Sequence, residues 1–236
     1  MVKVQIAKDL IKRKIIDLLR KIGRLKTPMD MVIMTLKIKE LLPDPLIALD
    51  LFGMHGLWVT ADYAPLCRHL DFWEINRQYA KFAQKYFSHI DFQAHVGDSI
   101  DAVKTGNSSL RKDYNFIVID CPFWSPFGAM YYEHFDLFPF IFDYIAMEGG
   151  VLVFTVLFNL KLHYNKQEFS RTWIERRKEF YGLNEDGQAI NLDIVTLMTA
   201  YKNRVPHHLF DLVDIFLVPR SLTVGHLVIA LKRKRA

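Results

Sequence analysis

The chain has two cysteines in 236 residues, Cys67 and Cys121, so a disulfide scaffold is excluded. No apolar run is long and clean enough to cross a bilayer. The greasiest stretch, residues 135–158, is broken by Asp136, Pro139, Asp143, Glu148 and the Gly149-Gly150 pair. The start, Met1-Val2-Lys3-Val4-Gln5, has no secretory apolar core. A cytoplasmic location and no membrane association are therefore expected. No His, Cys and carboxylate set has metal-ligand spacing, the His207-His208 pair included, and no metal is expected. The Gly-x-Gly-x-x-Gly of a nicotinamide-binding loop is missing, as are internal repeats and low-complexity segments.

What is present suits one catalytic domain with additions. Half the residues, 51%, are hydrophobic, enough for one full core and too few residues for two ordinary catalytic domains. The net charge of +5 conceals an asymmetry. Residues 1–40 carry eleven Lys/Arg against four Asp/Glu, and Lys232-Arg233-Lys234-Arg235 add four positive charges, which leaves residues 41–231 at −6. Basic ends on an acidic body predict a phosphate-backbone footprint, or else a solvated helix face and a solubilising tail.

Periodicity sets the organisation. Val4 to Ile22 places Ile6, Leu10, Ile11, Ile15, Leu18, Leu19 and Ile22 at helical spacing. Thr27-Pro28 starts a second helix, over Met31–Leu42, which Pro43 and Pro45 end. Residues 1–44 are thus expected to form a helical extension ahead of a domain at 45–236. From Leu46, strands at 46–50, 69–74, 92–97, 114–120 and 150–157 alternate with helices near 55–63, 76–87, 130–146 and 166–180, and Leu183 to Asp193 reads as a loop. Strands near 210–218 and 225–232 close the chain as a hairpin. The expected fold is α/β: doubly wound, Rossmann-like, a mostly parallel seven-stranded sheet with an antiparallel last strand.

In such a sheet the ligand lies beyond the carboxyl ends of the strands. Four successive strand ends carry acids: Asp50, followed by Phe52, Gly53 and Gly56; Glu74; Asp98, followed by Ser99; and Asp120-Cys121-Pro122-Phe123-Trp124. Glycine after the first strand lets a ligand approach the backbone. Glu74 is placed to accept both hydrogens of a ribose diol. Asp98 suits an adenine amino group or, equally, a helix N-cap. Asp120 and a carbonyl of Cys121 or Pro122 would hold the two hydrogens of an exocyclic amine and favour pyramidal nitrogen, freeing its lone pair, while Phe123 or Trp124 stacks on a flat acceptor. Cys121 as a nucleophile has no identifiable histidine base, so a thiol lining the site is the better reading.

These motifs resemble the class I S-adenosylmethionine-dependent methyltransferases, in particular the amino-group methylating branch. Leu49-Asp50-Leu51-Phe52-Gly53-Met54-His55-Gly56 is similar to that branch's first motif. Trp73-Glu74-Ile75-Asn76 looks like its ribose-binding acid, and Gly97-Asp98-Ser99 resembles its adenine-side acid. Asp120-Cys121-Pro122-Phe123 is similar to its Asp/Asn-Pro-Pro-aromatic motif, the most specific of the four. The resemblance covers residues 46–158. Two positions depart from it: Cys121 replaces the first proline, and Met54-His55 stand where a glycine would follow. The resemblance implies an S-adenosylmethionine-dependent N-methyltransferase with catalytic residues Asp120, Pro122 and Phe123. It also implies a cofactor set of Asp50, Phe52, Gly53, Gly56, Glu74, Asp98 and Ser99, and substrate contacts from Cys121 and Trp124. A nucleobase in RNA or DNA is the leading acceptor, with the basic ends on its phosphates. A small-molecule or protein amine acceptor is the alternative, and a catalytically inactive binding subunit, with or without a protein partner, is the reading from another class.

Overall fold

The computed structural model describes residues 2–21, 25–120, 134–159 and 171–235. Seven strands form one sheet: β1 Leu46–Leu51, β2 Cys67–Glu74, β3 Phe92–Val96, β4 Phe116–Ile119, β5 Gly150–Leu157, β6 Phe210–Pro219 and β7 Val224–Arg233. Their order across the sheet is β3-β2-β1-β4-β5-β7-β6. β1 pairs in parallel with β2 and β4, and β7 is inserted antiparallel between β5 and β6. Connections from β1 run outward to β2 and β3, then return to β4. The crevice of such a sheet therefore opens at the carboxyl ends of β1 and β4.

Both faces are covered, which is why the strands read as near-continuous apolar runs. On one face Leu46, Ala48, Phe72, Phe116 and Val118 pack against α2 (Pro28–Ile38), α3 (Thr60–Tyr63) and α4 (Arg77–Tyr86). On the other, Leu49, Ile117, Ile119 and Phe154 pack against α5 (Ser99–Thr105), α6 (Phe138–Ile141), α7 (Arg171–Tyr181) and α9 (Ile194–Arg204). Each such side chain taken out of water contributes about 1.5–3 kcal/mol. Local signals agree with the packing. Thr27 and Asp30 form a reciprocal capping box at α2 with Pro28 in its first turn, and Gly106, at φ 69°, ends α5.

Three expectations need adjustment. The helix expected over 55–63 is only α3, because Phe52, Met54 and Gly56 all adopt left-handed backbone and turn the chain before Thr60. The loop expected over 183–193 holds α8 (Asp186–Ile190), and Asp193 caps α9 by accepting from the Thr196 N–H (2.8 Å). Burial of Ala189 at 0% outweighs the poor propensity of Gly187 and Asn191. The helix expected over 130–146 is, among the described residues, the single turn α6 followed by a 3-10 turn at Phe142–Tyr144.

The helix expected from Val4 to Ile22 is α1 (Val2–Lys21). It buries Asp9 and Arg13, whereas Val4, Ile11, Ile15 and Leu18 are 59%, 62%, 53% and 60% exposed. The arc of Val4, Ile11, Ile15 and Leu18 points away from the domain, while Ile6, Leu10, Ile16 and Leu19 are half-buried.

Candidate active site

Asp50, Glu74 and Asp120 stand at the carboxyl ends of the adjacent strands β1, β2 and β4, as the sequence predicts. Their surroundings differ. Asp50 is 1% exposed and takes hydrogen bonds on Oδ2 from the Thr60 hydroxyl (2.6 Å) and the Tyr63 hydroxyl (2.5 Å), so it anchors α3 beneath the sheet edge. Its Oδ1 is buried without a partner. Burial, with the charges of Asp120 and Glu74 adding to it, pushes the Asp50 carboxyl up to about 7.

Glu74 is 7% exposed and accepts from the Asn76 N–H (2.7 Å). Burial raises it to about 7, opposed by the amides of Asn76, Met54 and Ile75, which favour its charged form. Met54, at φ 52°, thus turns its amide toward the acid expected to hold a ribose. The glycines of this loop are required by packing. A Cβ on Gly53 would overlap the Phe72 ring, and one on Gly56, at φ 74°, would lie 2.5 Å from Phe87. Phe52 packs partly against the core at φ 68°, a strained conformation for an aromatic residue.

Asp98 is exposed and N-caps α5, accepting from the amides of Ile100 (2.8 Å) and Asp101 (3.4 Å); Ser99 is buried at the first position of that helix. Asp120 is the most elaborated position. Its Oδ1 accepts from the Thr155 hydroxyl (2.5 Å) on β5 and from Arg220 Nη1 (2.7 Å) in the β6–β7 turn. Arg220 also donates to Thr155 Oγ1 (3.2 Å). Thr155 and His226 are paired across β5 and β7, with His226 Nδ1 3.4 Å from the hydroxyl and Nε2 buried without a partner. Burial, then the Arg220 charge, lowers His226 to about 4, so it is neutral near pH 7. Cys121, Pro122, Phe123 and Trp124 lie outside the described residues.

Sequence reasoning passed over Thr155, Arg220 and His226. The available signal was a threonine within Val151–Leu157 and a histidine within Val224–Leu231, since a polar residue inside a fully buried strand requires a partner. It also passed over the clamp on the glycine loop. His55, fully buried, accepts the Leu57 N–H on Nδ1 (3.3 Å), so its proton is on Nε2 and is donated to buried Asp9 of α1 (2.8 Å). Arg13 of α1 donates to the carbonyls of Leu57 (3.3 Å), Trp58 (3.4 Å) and Ala61 (3.3 Å) and pairs with Asp62. Among the described residues, no group of three or more His, Cys, Asp or Glu is arranged to hold a metal ion.

A buried Asp50 with an orphaned oxygen, its proton affinity raised by burial and by the charges of Asp120 and Glu74, suits a ligand that brings positive charge and hydrogen-bond donors. A sulfonium nucleoside with an amino-acid tail meets that description, and Asp50, Glu74 and Asp98 are the residues that would hold it.

The strand order and the single antiparallel strand are those of the Rossmann-like methyltransferase fold. Among solved structures, the chain superposes on the CurJ carbon methyltransferase with a TM-score of 0.54 at 13% identity, over 86% of this chain and 54% of that one. It superposes on an S-adenosylmethionine-dependent methyltransferase from Leishmania major with a TM-score of 0.51 at 14% identity, over 96% of this chain and 82% of the other. A Bordetella parapertussis chain, named only as an exported protein, gives 0.50 at 12% identity, over 85% and 65%. No family model matches the sequence, and no curated protein matches it. At these identities the likeness is one of fold.

Proposed function

We propose that the chain is an S-adenosylmethionine-dependent methyltransferase acting on an amino nitrogen, with a nucleobase of RNA or DNA as the leading acceptor. The observation that carries this reading is the mounting of Asp120. Thr155 and Arg220 both donate to Oδ1, and no described residue donates to Oδ2, which would accept an N–H at the mouth of the β1/β4 crevice. When bound, S-adenosylmethionine supplies an electrophilic methyl group on a sulfonium centre. Glu74 would accept the ribose hydroxyls and Asp98 the adenine amino group. Asp50 contributes negative potential from below without touching the acceptor. Asp120 holds the acceptor nitrogen in line, which is the larger part of the task when the methyl donor is already activated.

Within this reading, one observation favours a compact acceptor over a long phosphate backbone. α1 docks on the loop after β1, at the carboxyl edge of the sheet, whereas β7 runs antiparallel and delivers Lys232 to the edge beside Gly150. The two basic ends lie at opposite edges of the domain. A nucleobase acceptor would then be presented by a short strand end or loop, and a small-molecule or protein amine is the second reading.

The test is calorimetric titration with S-adenosylmethionine and S-adenosylhomocysteine, followed by acceptor screening with RNA, DNA, nucleosides and small amines. Binding that is lost in Glu74→Ala, with turnover lost and cofactor affinity kept in Asp120→Ala, is expected. Absence of binding to either ligand would instead favour an inactive binding subunit. Because Glu74 titrates near 7 and the ribose favours its ionised form, cofactor affinity should rise with pH up to about 7 and level off above it. An affinity that is flat between acid and neutral pH would remove Glu74 from the cofactor site.

A further inference from the structure

The outward face of α1 is both apolar and regular. At 3.6 residues per turn, Val4, Ala7, Ile11, Ile15 and Leu18 fall within an arc of about 80°. Exposed lysines border that arc on both sides, Lys8 and Lys12 on one and Lys3, Lys14 and Lys21 on the other. The opposite face is committed to the domain through Asp9 and Arg13. The stripe is therefore available to something outside the chain's own core.

Its chemistry selects among occupants. A second copy of α1 would bring lysine rows against lysine rows, which repels. A partner helix in a coiled-coil seam would use Val4, Ile11 and Leu18 as one set of knobs. The companion positions are Ala7, Lys14 and Lys21 in one register and Lys8 and Ile15 in the other, so either seam would bury at least one lysine. A phosphate backbone would engage the lysines and leave the aliphatic side chains in water. An anionic bilayer surface satisfies both elements: the aliphatic arc enters the acyl boundary while the flanking lysines extend to headgroup phosphates. Among the described residues no helix is long and apolar enough to cross a membrane, so α1 would lie in the plane of the interface.

We propose that α1 is an in-plane docking helix for anionic lipid surfaces, with Val4, Ile11, Ile15 and Leu18 inserted and Lys3, Lys8, Lys12 and Lys14 on the headgroups. This goes beyond the methyltransferase reading and does not depend on it, because the readout requires neither cofactor nor turnover.

The experiment is co-sedimentation of the full chain with sucrose-loaded vesicles of phosphatidylcholine alone or mixed with phosphatidylglycerol. The expected result is a partition about tenfold or more higher on the anionic vesicles, reduced by high salt. It should fall about tenfold in Ile11→Ser/Ile15→Ser and in Lys8→Gln/Lys12→Gln, exposed changes whose unaltered circular dichroism would exclude unfolding. No sedimentation with either vesicle would overturn the proposal. So would equal sedimentation of the Ile11→Ser/Ile15→Ser variant, or a dimer in ultracentrifugation that this variant dissolves. Retention on RNA with indifference to vesicles would return α1 to a nucleic-acid role and reject the lipid one.

Discussion

α1 and α2 are neighbours in sequence, both amphipathic, and used in opposite senses. α2 turns Met29, Val32, Ile33 and Leu36 onto the sheet, all of them buried. α1 turns Asp9 and Arg13 inward, half-buries Ile6, Leu10, Ile16 and Leu19, and leaves Val4, Ile11, Ile15 and Leu18 in water. The first helix is held by directional contacts to residues 55–62 and, through Arg20, to Thr27 and Asp30 at the start of α2, and the second by area removed from water. The contrast teaches that helical periodicity reports that a face is apolar without reporting what that face meets. It also divides the molecule energetically. Apolar burial spread over a core fails only with global unfolding, whereas a few charge-assisted hydrogen bonds can open locally.

The sharpest way to break the contrast is to weaken each helix where it is held. Leu36→Ala removes a fully buried side chain and should lower global stability by about 2–5 kcal/mol, measured by denaturant unfolding. Unchanged stability would mean that α2 is not part of the core. Arg13→Met removes the donor to three carbonyls and to Asp62 while leaving Arg20 paired with Asp62 at 2.7 Å. Its cost should be about 1–3 kcal/mol. Hydrogen exchange should show that cost as faster exchange confined to α1 and residues 55–62. Exchange accelerating equally across β1 and β4 would show that the two helices unfold together.

The strand ends and the mostly parallel, seven-stranded class of the sheet were legible because both faces of the sheet are buried, so each strand is an apolar run with a polar terminus. Asp50, Glu74 and Asp120 fall where those runs stop. The support of Asp120 was not legible, because Thr155 reaches it from the parallel neighbour β5, 35 residues away, His226 backs Thr155 through the antiparallel pairing of β5 with β7, 71 residues apart, and Arg220 arrives from a turn 100 residues away. The loop after β1 was read as a ligand cradle from its glycines, yet Phe72 and Phe87 explain those glycines by close packing. Asp98 is the position at which two readings made of one residue remain compatible, since a cap on α5 occupies one carboxylate oxygen.

A smaller effect separates α1 by pH. Burial lowers the proton affinity of His55, with Asp9 opposing it, and the imidazole is neutral when folded. A histidine whose folded value is depressed contributes stability that is present above the unfolded value of about 6.5 and lost as pH falls below it. Between neutral pH and about 5.5 the wild type should therefore lose up to about 1 kcal/mol relative to His55→Gln. The comparison cancels His134 and His226, which are also buried neutral and present in both proteins. Parallel pH profiles for the two proteins would place the control of α1 in Arg13 alone.

The smallest effect is the most discriminating. Ile15 is a large aliphatic residue on a helix, and an ordinary reading of amphipathicity would bury it and assign its truncation a cost of 2–5 kcal/mol. In the structure it is 53% exposed. Ile15→Ser should then change the unfolding midpoint by no more than about 0.5 kcal/mol, the range of a surface substitution. The paired substitution Val32→Ser on α2 exchanges a similar β-branched residue for the same polar one at a site that is 0% exposed. A destabilisation of Ile15→Ser approaching that of Val32→Ser would mean that α1 packs by its apolar face after all, and it would remove the lipid-docking surface along with the contrast between the two helices.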